Sequence, residues 1–339
     1  MPPPTPPLRA PAGFLNRALS PSRNPIPRLP NLYTSGQASS ASTPSASLRS
    51  AQAPTAQQTT SAAFTRPIAQ QTARMSSMPA TGGHSETPFL DDDARRPVAN
   101  HCKVASGYKA QGSYEQVGGF KTYVTGPADA TKAILVIFDI FGFFDQTVQG
   151  ADILATSDKH QKYKVYMPDW FNGEPCPIEW FPPNTEEKQK NLGNFFKKFP
   201  PPSVAEKVPA FVKAANEHNS SIKSWGILGY CWGGKVVSLA TSGDKTPFSI
   251  AAEIHPAMVD ANDASSIKVP LIMLASKDEA PEDVKNFESN LTVAKHVETF
   301  GDQIHGWMAA RSDLTDDHVK EEYIRGYKTV LEFFGKQWN

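Results

Sequence analysis

The sequence predicts an α/β fold, a mostly parallel, doubly wound sheet flanked by helices, behind a disordered N-terminal extension. Three observations predict it. From Gly107 onward, short apolar runs alternate with longer stretches of helical character, the pattern of repeated strand, helix, strand units. Several of those runs are continuously apolar, as strands covered on both faces are. The first 85 residues are the reverse: they are rich in Pro, Ser, Ala, Thr and Gln, and no Asp or Glu occurs before Glu86.

The strands are placed by these runs at Phe120 to Thr125, Ala133 to Asp139, Tyr163 to Asp169, Trp225 to Tyr230, Ser249 to His255, Val269 to Ala275 and Ala294 to Phe300. Helices are expected between and after them, at Gln146 to Lys159, Glu186 to Lys198, Ser203 to Glu217, Gly233 to Thr241, Glu282 to Asn290 and Asp317 to Phe334. Two regions follow: a low-complexity tail over 1–85 and one folded domain over 86–339. The tail cannot bury enough apolar surface to offset its ordering entropy. Being Arg-rich, Ser-rich and acid-free, it fits a mitochondrial presequence, or equally a disordered tail on a cytoplasmic protein.

Charge and cysteine content exclude several classes. The 34 basic and 34 acidic residues cancel, but seven arginines precede Glu86, so the remainder carries about −7 and offers no surface for nucleic acid. No apolar run reaches the roughly 18 residues of a membrane span. Cys102, Cys176 and Cys231 are too few and too scattered for a disulfide framework or a zinc site. No metal or cofactor is expected, and the sequence sets no oligomeric state.

Chemistry enters at GYCWGG, where the run WGILGY meets helix-like sequence. Gly229 and Gly233 flank Cys231 at two residues on either side, the spacing of a nucleophile elbow with cysteine in place of serine. At such an elbow the strand and helix approach closely, and the helix N-terminus faces the sulfur and favours thiolate. In α/β-hydrolases the acid and the histidine follow the nucleophile on loops after later strands. Asp278 in SKDEAP and His305 in GDQIHGW occupy those places. His305 is expected to hold or take the sulfur proton, and Asp278 to orient the imidazole.

Together FDIFG (Phe138 to Gly142), GYCWGG, SKDEAP and HGWMAAR (His305 to Arg311) resemble the dienelactone hydrolase family, and its fungal members especially. The resemblance spans roughly Cys102 to Asn339. It implies a single α/β-hydrolase domain with Cys231, Asp278 and His305 as a triad, and an oxyanion hole from the backbone N–H groups of Ile140 and Trp232. Such donors are typically worth about 3 kcal/mol each. The family's glutamate before the isoleucine, which helps activate the thiol, is replaced here by Asp139, which fits either that role or a cap on strand-end N–H groups. The family's first carboxylate-binding arginine would fall near Gly173, where there is none. The second would fall at Ala309, and Arg311, two residues on, fits either substrate binding or a loop salt bridge.

Other residues carry paired readings. His255, in EIHP, either lines the pocket or ends a strand as a satisfied histidine. Trp170, Phe171, Trp180 and Phe181 form either an apolar lid or a satellite core. The resulting expectation is a thiol-dependent hydrolase of a small ester or lactone, with two alternatives: a broad carboxylesterase or thioesterase, and a non-catalytic binding member of the fold.

Overall fold

The computed structural model describes residues 107–338. The tail over 1–85, its presequence-like segment, and His101 and Cys102 lie outside the described residues. The strands are β1 (Ser113–Val117), β2 (Phe120–Thr125), β3 (Lys132–Ile137), β4 (Tyr163–Pro168), β5 (Ser224–Tyr230), β6 (Phe248–Ile254), β7 (Leu271–Ser276) and β8 (Lys295–Phe300). The helices are α1 (Asp145–Thr156), α2 (Glu186–Lys198), α3 (Pro201–Ala205), α4 (Val208–His218), α5 (Trp232–Ala240), α6 (Ala261–Ala264), α7 (Pro281–Asn290) and α8 (Asp317–Gln337).

One eight-stranded sheet has the order β1-β2-β4-β3-β5-β6-β7-β8. The pairs from β4 through β8 are parallel, whereas β1 with β2 and β2 with β4 are antiparallel. This is the mostly parallel, doubly wound sheet that the alternating pattern predicts, in the α/β-hydrolase arrangement that the family resemblance implies. The chain winds outward from β3 to β4, then crosses back to place β5 on the other side of β3. Right-handed crossovers in opposite directions put α1 and α5 on opposite faces, and the C-terminal ends of β3 and β5 form the switch point where such sheets bind ligands.

Every apolar run became a strand, because β3, β5, β6 and β7 are buried along almost their whole length. The run-based reading misses β1. Its sequence SYEQV is mostly exposed and pairs through backbone alone at the sheet edge. The single helix expected over Ser203 to Glu217 is two helices, α3 and α4. Pro209 has no N–H for the Ala205 carbonyl four residues earlier, so the helix restarts with proline in its first turn.

Helix α8 shows why burial, more than propensity, fixes these elements. Tyr323, Tyr327, Val330, Leu331 and Phe334 recur at helical spacing and are all buried, while the Asp316 carboxylate caps the N–H groups of His318 and Val319 at 2.9 and 3.1 Å. Among the described residues, no helix is long and apolar enough to cross a membrane.

The antiparallel edge is fastened by one buried carboxylate. Asp152 of α1 accepts hydrogen bonds from the Tyr108 hydroxyl at 2.9 Å, the Gln111 N–H at 3.0 Å, the Tyr123 hydroxyl at 2.8 Å and the Thr125 hydroxyl. Four donors compensate the desolvation of the charge. Asp152→Ala strands those donors and should lower stability by about 3 kcal/mol, against about 1 kcal/mol for Tyr123→Phe. Urea titration followed by tryptophan fluorescence measures both.

Candidate active site

The elbow is a steric requirement before it is a chemical one. Cys231 sits between β5 and α5 at φ 53°, ψ −115°, a conformation that costs a non-glycine residue on the order of 1–3 kcal/mol. Its N–H donates to the Ile254 carbonyl at 3.0 Å, and its carbonyl accepts from Gly234 at 3.0 Å and Ala257 at 2.9 Å. A Cβ on Gly229 would stand 2.2 Å from the Gly233 carbonyl oxygen, and one on Gly233 would stand 2.4 Å from the Ile137 oxygen. Both positions therefore exclude any side chain. The strain is held by backbone on both sides, and it leaves the thiol at the C-terminal edge of the sheet.

His305 follows β8 and is buried. Its Nδ1 lies 2.6 Å from Oε1 of Glu279, and the Cys231 sulfur acts electrostatically on its ring. Burial alone would lower the His305 pKa. The facing sulfur, followed by the hydrogen bond and charge of Glu279, outweighs burial and pushes it up to about 10.

The acid is where the sequence expectation needs correction. Asp278, expected on the imidazole, instead accepts the backbone N–H of His305 at 2.8 Å. Glu279 takes the imidazole place. The turn after β7 leaves Asp278 half-buried and turns Glu279 inward, where its other contacts are the N–H and, at 3.1 Å, the hydroxyl of Ser276. The signal for Glu279 was present as two adjacent acids in SKDEAP, but run lengths cannot choose between neighbours in a turn.

Asp139 is fully buried at the end of β3 and its two oxygens are occupied. One accepts the Phe141 N–H at 2.9 Å and the other the Ala310 N–H at 3.2 Å. The capping reading therefore describes its contacts, and it ties the β3 loop to the segment after His305. Burial pushes its pKa up to about 6, against the lowering effect of those N–H groups and of the nearby His305 and Arg311 charges.

Ile140 follows Asp139, and its carbonyl accepts the Cys176 N–H at 2.8 Å. Trp232 is the first residue of α5, so its N–H has no acceptor within the helix. Arg311 donates through Nη1 to the His305 carbonyl, and its guanidinium lies 4.5 Å from the Phe181 ring centroid. Cys176 is buried beside the same loop, where desolvation first, then the charges of Cys231 and Asp139, push its thiol up to about 12.

The aromatic cluster divides. Trp170 and Phe171 are core residues, packed on Phe120 and Phe211 and on Phe138 and Trp232 respectively. Trp180 and Phe181 are only half-buried. His255 does follow β6, but it is not satisfied: its ring is fully buried at 5.0 Å from the His305 ring, and neither ring nitrogen has a hydrogen-bond partner among the described residues. Burial holds its pKa well below the ordinary histidine value.

Sequence reasoning also misses Tyr327. Its hydroxyl bonds the Tyr230 hydroxyl at 2.7 Å and the Met308 carbonyl at 2.9 Å, joining the residue before Cys231 to the loop that carries His305. Nothing in the helical periodicity distinguishes it from a packing residue.

A doubly wound sheet with a cysteine elbow and a buried histidine and carboxylate pair on later loops defines an α/β-hydrolase. Its family is equally plain: the dienelactone hydrolase family pattern matches residues 120–338, and the chain belongs to that family. An uncharacterized AIM2 family protein of Schizosaccharomyces pombe is 37% identical over 251 residues, covering 70% of this chain and 98% of that one. The carboxymethylenebutenolidase homolog of Rattus norvegicus is 25% identical over 252 residues, covering 70% and 98% respectively. A dienelactone hydrolase structure from Anabaena variabilis superposes with a TM-score of 0.48 at 12% identity, covering 68% of this chain and 99% of that one.

The raised histidine pKa gives a direct test. The His305 imidazolium should persist through neutral pH and lose its proton only near about 10. Stability linked to that proton is full below the ordinary 6.5 and is lost as pH rises through about 10. Cys231→Ala removes the two largest raising causes, so the imidazole titration followed by NMR should move down in that variant.

Proposed function

We propose that the protein hydrolyses a lactone or activated ester through Cys231, His305 and Glu279, with Asp278 holding the His305 main chain. The observation that carries this reading is the elbow cysteine facing a buried histidine whose far nitrogen lies 2.6 Å from a buried carboxylate. Geometry of this kind is what an activated nucleophile requires.

In the proposed cycle the Cys231 thiolate attacks the carbonyl carbon. The N–H groups of Ile140 and Trp232 receive the developing oxyanion. The tetrahedral adduct collapses to a thioester as the C–O bond breaks, and His305 delivers its proton to the departing oxygen. Neutral His305 then takes a proton from water, whose oxygen attacks the thioester. Cleavage of the C–S bond frees the acid and restores Cys231. Glu279 keeps Nδ1 protonated and stabilises the imidazolium.

The nucleophile limits the substrate. A thiolate is a better leaving group than an alkoxide, so an adduct with an ordinary alkyl ester reverts, whereas an enolate or phenolate leaves readily. Activated esters and enol lactones are therefore favoured. The name carboxymethylenebutenolidase homolog, carried by the rat relative, supports the lactone side of this reading.

Intact-protein mass spectrometry after brief exposure to p-nitrophenyl acetate should show one acyl group in the wild type and none in Cys231→Ala. Retention of full turnover by that variant would sink the assignment. Glu279→Gln should lower kcat by on the order of 10²–10⁴-fold, the range of losses when an orienting acid is neutralised. Asp278→Asn keeps a main-chain acceptor and should cost about tenfold or less.

A further inference from the structure

The residue expected to greet a substrate carboxylate is already engaged. Arg311 donates to the His305 carbonyl, while Asp278 accepts the His305 N–H at 2.8 Å. The main chain of His305 is thus gripped at both polar atoms, by a cation on one and an anion on the other. One face of the guanidinium is covered by the Phe181 ring at 4.5 Å. Burial lowers the Arg311 pKa, and Asp278, Cys231 and Asp139 act against that lowering. Three acidic side chains, Asp278, Glu279 and Asp139, already bind the His305 loop, and its one arginine is turned onto the His305 carbonyl, so a carboxylate entering there meets acidic groups and no free cation on that loop.

The neighbouring surface is apolar. Phe181 packs edge-on to Phe141, the residue after Ile140, with centroids 6.3 Å apart, and Phe141 meets Phe144 at 6.2 Å. The segment from Cys176 to Phe181 is fastened to the β3 loop at both ends, by the Cys176 N–H on Ile140 and by the Phe141 contact. Between those anchors lies Ile178, 39% exposed, and directly before His305 lies Ile304, 37% exposed. Only Tyr114 joins them as a large exposed hydrophobic residue among the described residues, so of three such residues one lies in the segment tied to the β3 loop and one directly precedes His305.

We propose, building on the hydrolase reading above, that the site takes uncharged esters or lactones with an apolar or aryl group. On this proposal Phe181, Phe141 and Ile178 form the wall that selects them, and Arg311 is a positioning residue that braces His305. The cation is spent on the loop and on the Phe181 ring. Selection rests on burial of apolar substrate surface and on the cost of placing a second anion beside the thiolate.

The test compares two esters of equal chain length, p-nitrophenyl butyrate and p-nitrophenyl hemisuccinate, on the full chain. The uncharged ester should be preferred by about tenfold or more in kcat/KM. Equal or faster turnover of the hemisuccinate overturns the proposal, and this comparison needs no variant. Arg311→Gln separates the two roles of the cation. A brace lowers kcat for both esters with KM little changed, whereas a carboxylate receptor raises KM for the hemisuccinate alone. Phe181→Ala should raise KM for p-nitrophenyl benzoate more than for the acetate, and equal effects on both argue against the wall. Absence of any Cys231-dependent turnover is a different result, because it removes the hydrolase reading itself along with the preference built on it.

Discussion

The approach of α5 to β5 and β3, close enough to exclude every side chain at Gly229 and Gly233, is the constraint on which the rest of the site depends. It forces the backbone of Cys231 into a positive φ and leaves the thiol at the head of a helix. The strain is local, but the restraint on it is not. Ile254 and Ala257 hold the elbow by its own N–H and carbonyl, so the strand next to β5 carries part of the load. Substituting either glycine would separate strand from helix and move the sulfur, whatever happened to the chemistry.

The second half of the site is a loop without regular structure, held by an unusual number of polar ties. Glu279 holds the His305 ring, Asp278 and Arg311 hold its main chain, Asp139 holds the N–H of Ala310, and Tyr327 holds the carbonyl of Met308. Ionised groups this deep are costly unless each is hydrogen-bonded. Asp139 shows the cost directly, since two N–H donors do not prevent burial from raising its pKa. Apart from Arg311, which belongs to the same loop, the ties run to three other segments: the turn after β7, the end of β3 and α8. Loosening any one therefore alters the position of the imidazole relative to the sulfur, where displacements of about 1 Å can cost two orders of magnitude in rate.

What was legible in the sequence follows from what burial writes into it. Strands β3 to β7 are covered on both faces and read as apolar runs, and the elbow is legible because two glycines at fixed spacing have a single steric use. Strand β1 is not legible, since SYEQV at a sheet edge needs only backbone partners. The choice between Asp278 and Glu279 was closed to sequence reasoning for a related physical reason. Both acids lie in one turn, and only the direction of that turn decides which reaches the ring and which the main chain. His255 marks another limit: strand-end position predicts its place, but not that its ring nitrogens would find no partner among the described residues beside His305.

The coupling between sulfur and imidazole also explains how one histidine could serve both halves of the proposed cycle. Burial lowers the His305 pKa, and with Cys231 free the sulfur is the largest influence raising it, to about 10. His305 is then charged at neutral pH and suited to deliver a proton to a leaving oxygen. Acylation converts the sulfur to a neutral thioester and removes that influence. Burial, which lowers the pKa, is then opposed mainly by Glu279, so the same ring becomes a base able to take a proton from water. No movement of the loop is required for this change. On the proposed cycle the state of the sulfur would set the state of the ring, with the His305 loop kept in place by Glu279, Asp278 and Asp139.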